Sequence, residues 1–167
     1  MSMVAVFVEV TNEQYRSFVA DPQPDTLIAW MESEEDGQGD DAPVSMLDLD
    51  KDWHAVHFVL TGDVDTVDSP EGFILGGEEV GEEFGYGPAR AMDAAQVAEA
   101  SRALQAISPE QFQARIDLKA MAKNDVYPSV WDRDDIVLDG IVDAYTNLRS
   151  WLAGVAGRNN PVLLVLT

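Results

Sequence analysis

The sequence predicts a single α+β domain on a small mixed central sheet, and three observations carry that expectation. The chain begins with an apolar, β-branched run, Met3 to Val10, and closes with another, Val162 to Leu166; two such runs suit buried, neighbouring strands of one sheet. Three helix starts carry paired capping residues, Thr11 with Gln14, Asp93 with Gln96 and Ser108 with Gln111, in which each partner covers a backbone N–H that the first turn leaves unbonded. Leu138, Ile141, Tyr145, Leu148, Leu152 and Val155 step by three and four, the spacing that holds side chains on one helical face. With few strands, several helices, no internal repeat and no long linker, residues 1–167 form one domain, a length that buries roughly 70% of the unfolded surface.

In chain order, Met3 to Val10 is a strand buried on both faces, and a short helix follows from Thr11 through Val19, stopped by Asp21-Pro22-Gln23-Pro24. A second short helix runs from Asp25 to about Met31, and the polar stretch 32–41 is a solvated loop. Asp50 opens a helix whose apolar face holds Trp53, Val56, His57 and Leu60, with His54 at its edge and Thr61-Gly62-Asp63 at its end. An acidic loop leads to Phe73-Ile74-Leu75, a brief buried strand. Asp93 starts a helix to about Ile107, and Pro109 takes the first helical position of the next, where its missing N–H costs nothing. The long carboxy-terminal helix has Asp132, Asp134 and Asp135 near its amino end, where the helix dipole favours anions, and Gly157 as its left-handed terminator.

Charge bounds the function. Ten basic and 31 acidic residues give a net charge of -21. Residues 32–83 alone hold 17 acids and one base, a net of -16, against -3 for residues 1–31 and -2 for residues 84–167. Nucleic acid and an anionic membrane surface are poor partners for such a chain, because both are bound through lysine and arginine. A basic protein, a cationic small molecule or a metal ion suits it, with the field speeding association and salt weakening it; the plainer reading is that the acidity keeps the chain in solution. The amino terminus lacks an export signal, the apolar carboxy-terminal run is too short to span a bilayer, and cysteine is absent; a cytoplasmic protein is expected.

The stretch GGEEVGEEFGYGPAR, residues 76–90, looks like a phosphate loop at first sight. Four glutamates would repel phosphate, and Arg90 occupies the third glycine site of a dinucleotide fingerprint. It therefore reads as turn architecture in which glycines reverse the chain, Pro88 fixes an extended exit and the Tyr86 ring packs, with Tyr86 and Arg90 as a recognition pair. His54 and His57 have a spacing that can present two imidazoles to a metal, with Asp50, Glu78 or Glu82 as a third ligand. The stronger H-E-x-x-H pattern is missing, so His57 is expected as a core histidine satisfied by a hydrogen bond, and no metal or other cofactor is expected. With 31 carboxylates, an acid beside His54, such as Glu82 or Asp132, has little diagnostic value for acid–base chemistry. The segment Tyr127 to Asp134 reads as a packed loop.

Taken in order, the apolar first strand, Asp50-Lys51-Asp52-Trp53-His54-Ala55-Val56-His57 with Leu60-Thr61-Gly62, Ile74-Leu75-Gly76-Gly77, Gly85-Tyr86-Gly87-Pro88-Ala89-Arg90, and Tyr127-Pro128 with Trp131 resemble the YfbM-like family over essentially the whole chain. That resemblance implies a compact bacterial α+β domain and carries no activity, cofactor or catalytic residue. Two functions follow as expectations. The first is a non-catalytic, acidic binding module for a basic protein, of inhibitor or immunity type, docking through Glu32, Glu34, Glu35 and Asp36. The second is a small enzyme or ligand-binding protein with a pocket of Trp53, His54, Tyr86, Arg90 and Trp131, with His57 beside it.

Overall fold

The computed structural model describes residues 2–33, 42–136 and 138–167. Its first strand, β1 (Ala5–Glu9), pairs antiparallel with the last, β5 (Val162–Leu166), in register from Ala5 opposite Leu166 to Glu9 opposite Val162. Both strands are buried along nearly their whole length, as their nearly continuous apolar runs require. Beside β1 lies β2 (Ser45–Asp48), and beyond β5 come β4 (Pro88–Met92) and β3 (Glu78–Glu83), giving the order β2-β1-β5-β4-β3. The sheet, expected as mixed, is antiparallel in every pairing. A hairpin joins β3 to β4, and no βαβ crossover, the unit that creates parallel neighbours, is needed to connect the rest.

The sheet separates two cores. On one face α1 (Asn12–Ala20) and α2 (Pro24–Glu32) bury Phe18, Leu27 and Trp30 against Val8, Ala89, Ala91, Leu163 and Val165. On the other, α3 (Trp53–Thr61), α4 (Ala94–Gln105), α5 (Pro109–Ala114), α6 (Leu118–Lys123) and α7 (Asp139–Gly157) enclose the larger core with Phe7, Met92 and Leu164. All three expected capping boxes form, with reciprocal bonds between Thr11 and Gln14, Asp93 and Gln96, and Ser108 and Gln111. Within α7 the predicted stripe is buried from Ile141 to Val155, and the Phe112 ring stacks on Tyr145 at 4.1 Å.

Local differences have identifiable causes. Phe73-Ile74-Leu75 is not a strand: Pro70–Leu75 winds as a 3₁₀ helix, closed by Gly72 N–H on the Ser69 carbonyl at 3.0 Å and Gly76 N–H on Phe73 at 3.0 Å. A three-residue apolar run has no periodicity to distinguish the two, and Ser-Pro before it favours the turn. Gly157 is the last helical residue of α7 rather than its terminator; the left-handed position falls on Asn159, φ 56°, a residue type that tolerates it. The aspartates 132, 134 and 135 precede the first turn of α7, which begins at Asp139. Strand β2 lies in a stretch to which the sequence assigns no element, the hairpin β3–β4 replaces what reads as turn architecture, and Leu118–Lys123 adds a helix capped by the Asp117 carboxylate.

Candidate functional site

The D-K-x-W-H-x-x-H string folds as a short 3₁₀ turn, Asp50–Asp52, continuing into α3. Trp53 points into the core and its indole N–H donates to the Met3 carbonyl at 3.0 Å, tying α3 to the start of β1. Its ring stacks on His54 at 4.9 Å and on Tyr127 at 6.0 Å. The Tyr127 hydroxyl accepts the Met3 N–H at 2.7 Å. His54 is committed at both ring nitrogens. Nδ1 accepts the Tyr127 N–H at 2.8 Å, which leaves the ring proton on Nε2, and Nε2 donates it to the Val64 carbonyl at 2.9 Å. Neither lone pair nor proton is left over for a metal or a substrate.

His57, fully buried, donates from Nε2 to the Asp65 carbonyl at 2.8 Å, while Nδ1 has no partner among the described residues. Burial holds its pKa below the ordinary histidine range, outweighing the opposite pull of the Asp65 carbonyl. The imidazole is therefore neutral at pH 7 and serves to pin the 63–65 loop. Trp131 is buried in the same core and its indole N–H donates to the Val126 carbonyl at 2.7 Å.

Tyr86 and Arg90 stand elsewhere, on the β3–β4 hairpin. Arg90 turns back on its own hairpin, with Nη1 donating to the Gly77 carbonyl and Nη2 to Glu79 Oε1, each at 3.3 Å. The Tyr86 ring does not pack. It stands 42% exposed at the hairpin tip, where its backbone N–H donates to the Leu166 carbonyl at 2.9 Å. The glycines of this stretch are architectural. Gly77 and Gly85 have φ of 84° and 69°, and a Cβ on either would come within 2.6 Å of the Ala91 oxygen or 2.5 Å of the Leu166 oxygen. The six residues expected at one site thus form two groups, and no hydrogen bond, ion pair or ring contact joins them among the described residues.

The acidic residues of the 32–83 region also separate. Asp48 lies on β2 and the glutamates 78, 79, 82 and 83 on β3, at opposite edges of the sheet. Glu32 is exposed at the end of α2, while Glu34, Glu35 and Asp36 lie outside the described residues. Asp52, half-buried and close to Asp50, has its carboxyl pushed above the usual range, first by burial and then by that neighbour. No group of three His, Asp or Glu side chains among the described residues is placed to hold a metal ion.

One ionised centre escapes the sequence reading: Glu9, fully buried in β1. Its Oε1 accepts from Arg158 Nη2 at 2.7 Å and Ser45 Oγ at 2.6 Å; its Oε2 accepts from Arg158 Nε at 2.8 Å and Asn160 Nδ2 at 2.9 Å. Trp151 in turn donates to Ser45 Oγ at 3.0 Å. Burial pushes the Glu9 carboxyl up, but the Arg158, Ser45 and Asn160 donors outweigh it and hold the pKa below the usual carboxylate range. Bidentate guanidinium pairing of this kind is among the strongest polar contacts a side chain makes. The signal was present: a glutamate inside an unbroken apolar strand must be buried, and so must find donors.

The arrangement matches a known architecture. A family profile described as a domain of unknown function, DUF1877, covers residues 1–165. The chain belongs to the DUF1877 family. A solved structure of a protein of unknown function, YfbM from Escherichia coli, has the same fold at a TM-score of 0.73 and 18% identity, covering 98% of this chain and 99% of that one. At that identity the likeness fixes the DUF1877 fold alone. No functionally curated protein matches the chain. Among the described residues no helix is long and apolar enough to cross a membrane.

Proposed function

We propose that this DUF1877 domain is a non-catalytic acidic binding module that docks a basic protein in the cytoplasm. The observation that carries the reading is a contrast in how polar groups are used. His54, Trp53, Tyr127 and Trp131 spend their ring and hydroxyl groups inside the fold, whereas Glu78, Glu79, Glu82 and Glu83 are exposed on an edge strand and, among the described residues, only Glu79 has an ion-pair partner. Exposed carboxylates steer a cationic partner and respond to salt, and they cost no desolvation until the partner arrives.

The test compares capture of basic proteins from native extract by the wild-type chain, by a Glu78→Gln, Glu79→Gln, Glu82→Gln, Glu83→Gln variant, and by a variant neutralised at Glu32, Glu34, Glu35 and Asp36. Capture at low salt that fades at moderate salt and weakens in either variant supports the reading. Equal capture by all three chains, or capture indifferent to salt, would overturn it.

A further inference from the structure

A cleft of about 470 Å³ opens between the end of α3, the 67–71 loop and the end of α4. Its volume lies in the range that holds a small ligand, roughly 300 to 1,000 Å³. Leu60, Val67 and Ile107 form an apolar floor, and Ser69, Glu71 and Arg115 stand around it. Backbone acceptors at the end of α4 are already engaged: the Tyr145 hydroxyl shares its one proton between the Leu104 and Ile107 carbonyls, 3.0 and 2.6 Å away, and Arg149 donates to Leu104 and Gln105 at 3.1 and 2.9 Å. Thr61 is engaged as well, its one hydroxyl proton within reach of the His57 and Asp63 carbonyls and its oxygen accepting the Asp63 N–H. The polar capacity left for a visitor belongs to Ser69, Glu71 and Arg115.

Those two charges do not neutralise one another. Glu71 and Arg115 line one cleft, yet neither makes an ion pair or side-chain hydrogen bond with any described residue. The loop carrying Ser69 and Glu71 is built tightly. A Cβ on Gly72 would fall 2.5 Å from Val67 Cγ2 and 2.8 Å from the Val67 carbonyl, so a glycine is needed to bring Val67 to the floor and Glu71 to the rim together. A cleft with one carboxylate, one guanidinium and an apolar base suits a ligand carrying both charges on an apolar body. The field of a chain of net charge -21 repels a simple carboxylate, and a simple cation would leave Arg115 without a counter-charge; a zwitterion answers both side chains.

We propose that this cleft binds a small zwitterion with an aliphatic side chain, an α-amino acid or short peptide, its carboxylate on Arg115, its ammonium on Glu71 and its side chain on Leu60, Val67 and Ile107. The test is a methyl-resolved NMR titration of the full chain with L-leucine and with leucyl-leucine, against 4-methylpentanoate and 3-methylbutylamine, each of which lacks one charge. Saturable shifts of the Leu60, Val67 and Ile107 methyls with either zwitterion are expected, and the stronger of the two identifies free amino acid or peptide. Each singly charged analogue should bind at least about tenfold more weakly, as should Arg115→Gln and Glu71→Gln with the zwitterion. Both side chains stand at the rim, so the variants should keep wild-type spectra elsewhere. The proposal is overturned by absence of saturable shifts at millimolar probe, by equal binding of either analogue, or by unchanged affinity in both variants.

Discussion

Glu9 in β1 and Glu78, Glu79, Glu82 and Glu83 in β3 are the same side chain on strands of one sheet, and they serve opposite ends. Glu9 has no exposed surface and receives four donors at 2.6 to 2.9 Å. The β3 glutamates face water on the outermost strand, and the shortest ion-pair distance among them is the 3.3 Å to Arg90. A charge fixed in the interior stabilises the fold only while its donors remain; a charge in water is nearly neutral for stability and free for encounter. Acidic side chains on an edge strand also discourage its pairing with a second chain.

The comparison breaks most sharply at Arg158. Arg158→Met strands a buried carboxylate on Ser45 and Asn160, and should cost about 3 kcal/mol of unfolding free energy in urea titration; a loss near zero would mean that the pair is dispensable. Glu9→Gln keeps the shape and loses the charge, and should cost about 1 to 2 kcal/mol at neutral pH. Its pH dependence sharpens the point. Because the folded carboxyl sits below the usual range, the unfolded chain takes up its proton first, so this contribution is complete above about pH 5 and fades as the pH falls below about 4. The stability gap between wild type and Glu9→Gln should therefore close in acid, and a gap constant from pH 7 to pH 3 would exclude a charged Glu9. The smallest effect belongs to β3, where replacing all four glutamates by glutamine should shift stability by no more than about 0.5 kcal/mol per site, measured by the same titration.

Much of the fold was legible because its signals are local. A capping box is a contact between residues three apart, and all three formed. The stripe of α7 and the apolar runs of β1 and β5 report burial directly. The β3–β4 hairpin was not legible, since glutamate and glycine disfavour strands and β3 takes its place from its ladder with β4, which composition does not report. The 3₁₀ helix at Pro70–Leu75 was hidden by its length.

The candidate site was legible in part. His57 lies in the core, as its place on the apolar face of α3 suggests, and the His54 ring lies 6.4 Å from it. Their partners, the Val64 and Asp65 carbonyls and the Tyr127 N–H, are backbone groups that no residue name reveals. Trp53 and Trp131 likewise donate to carbonyls. The sidedness of the acidic region depends on strand order, which places β2 and β3 at opposite edges and cannot be counted from composition.

The contacts around Glu9 bridge residues 36, 149 and 151 positions away along the chain. Loop closure on that scale cannot come early, so these bonds form after the two termini of the sheet have already met. Whatever they contribute then appears in how slowly the domain comes apart rather than in how fast it assembles, which makes the Glu9 cluster a latch on the finished molecule.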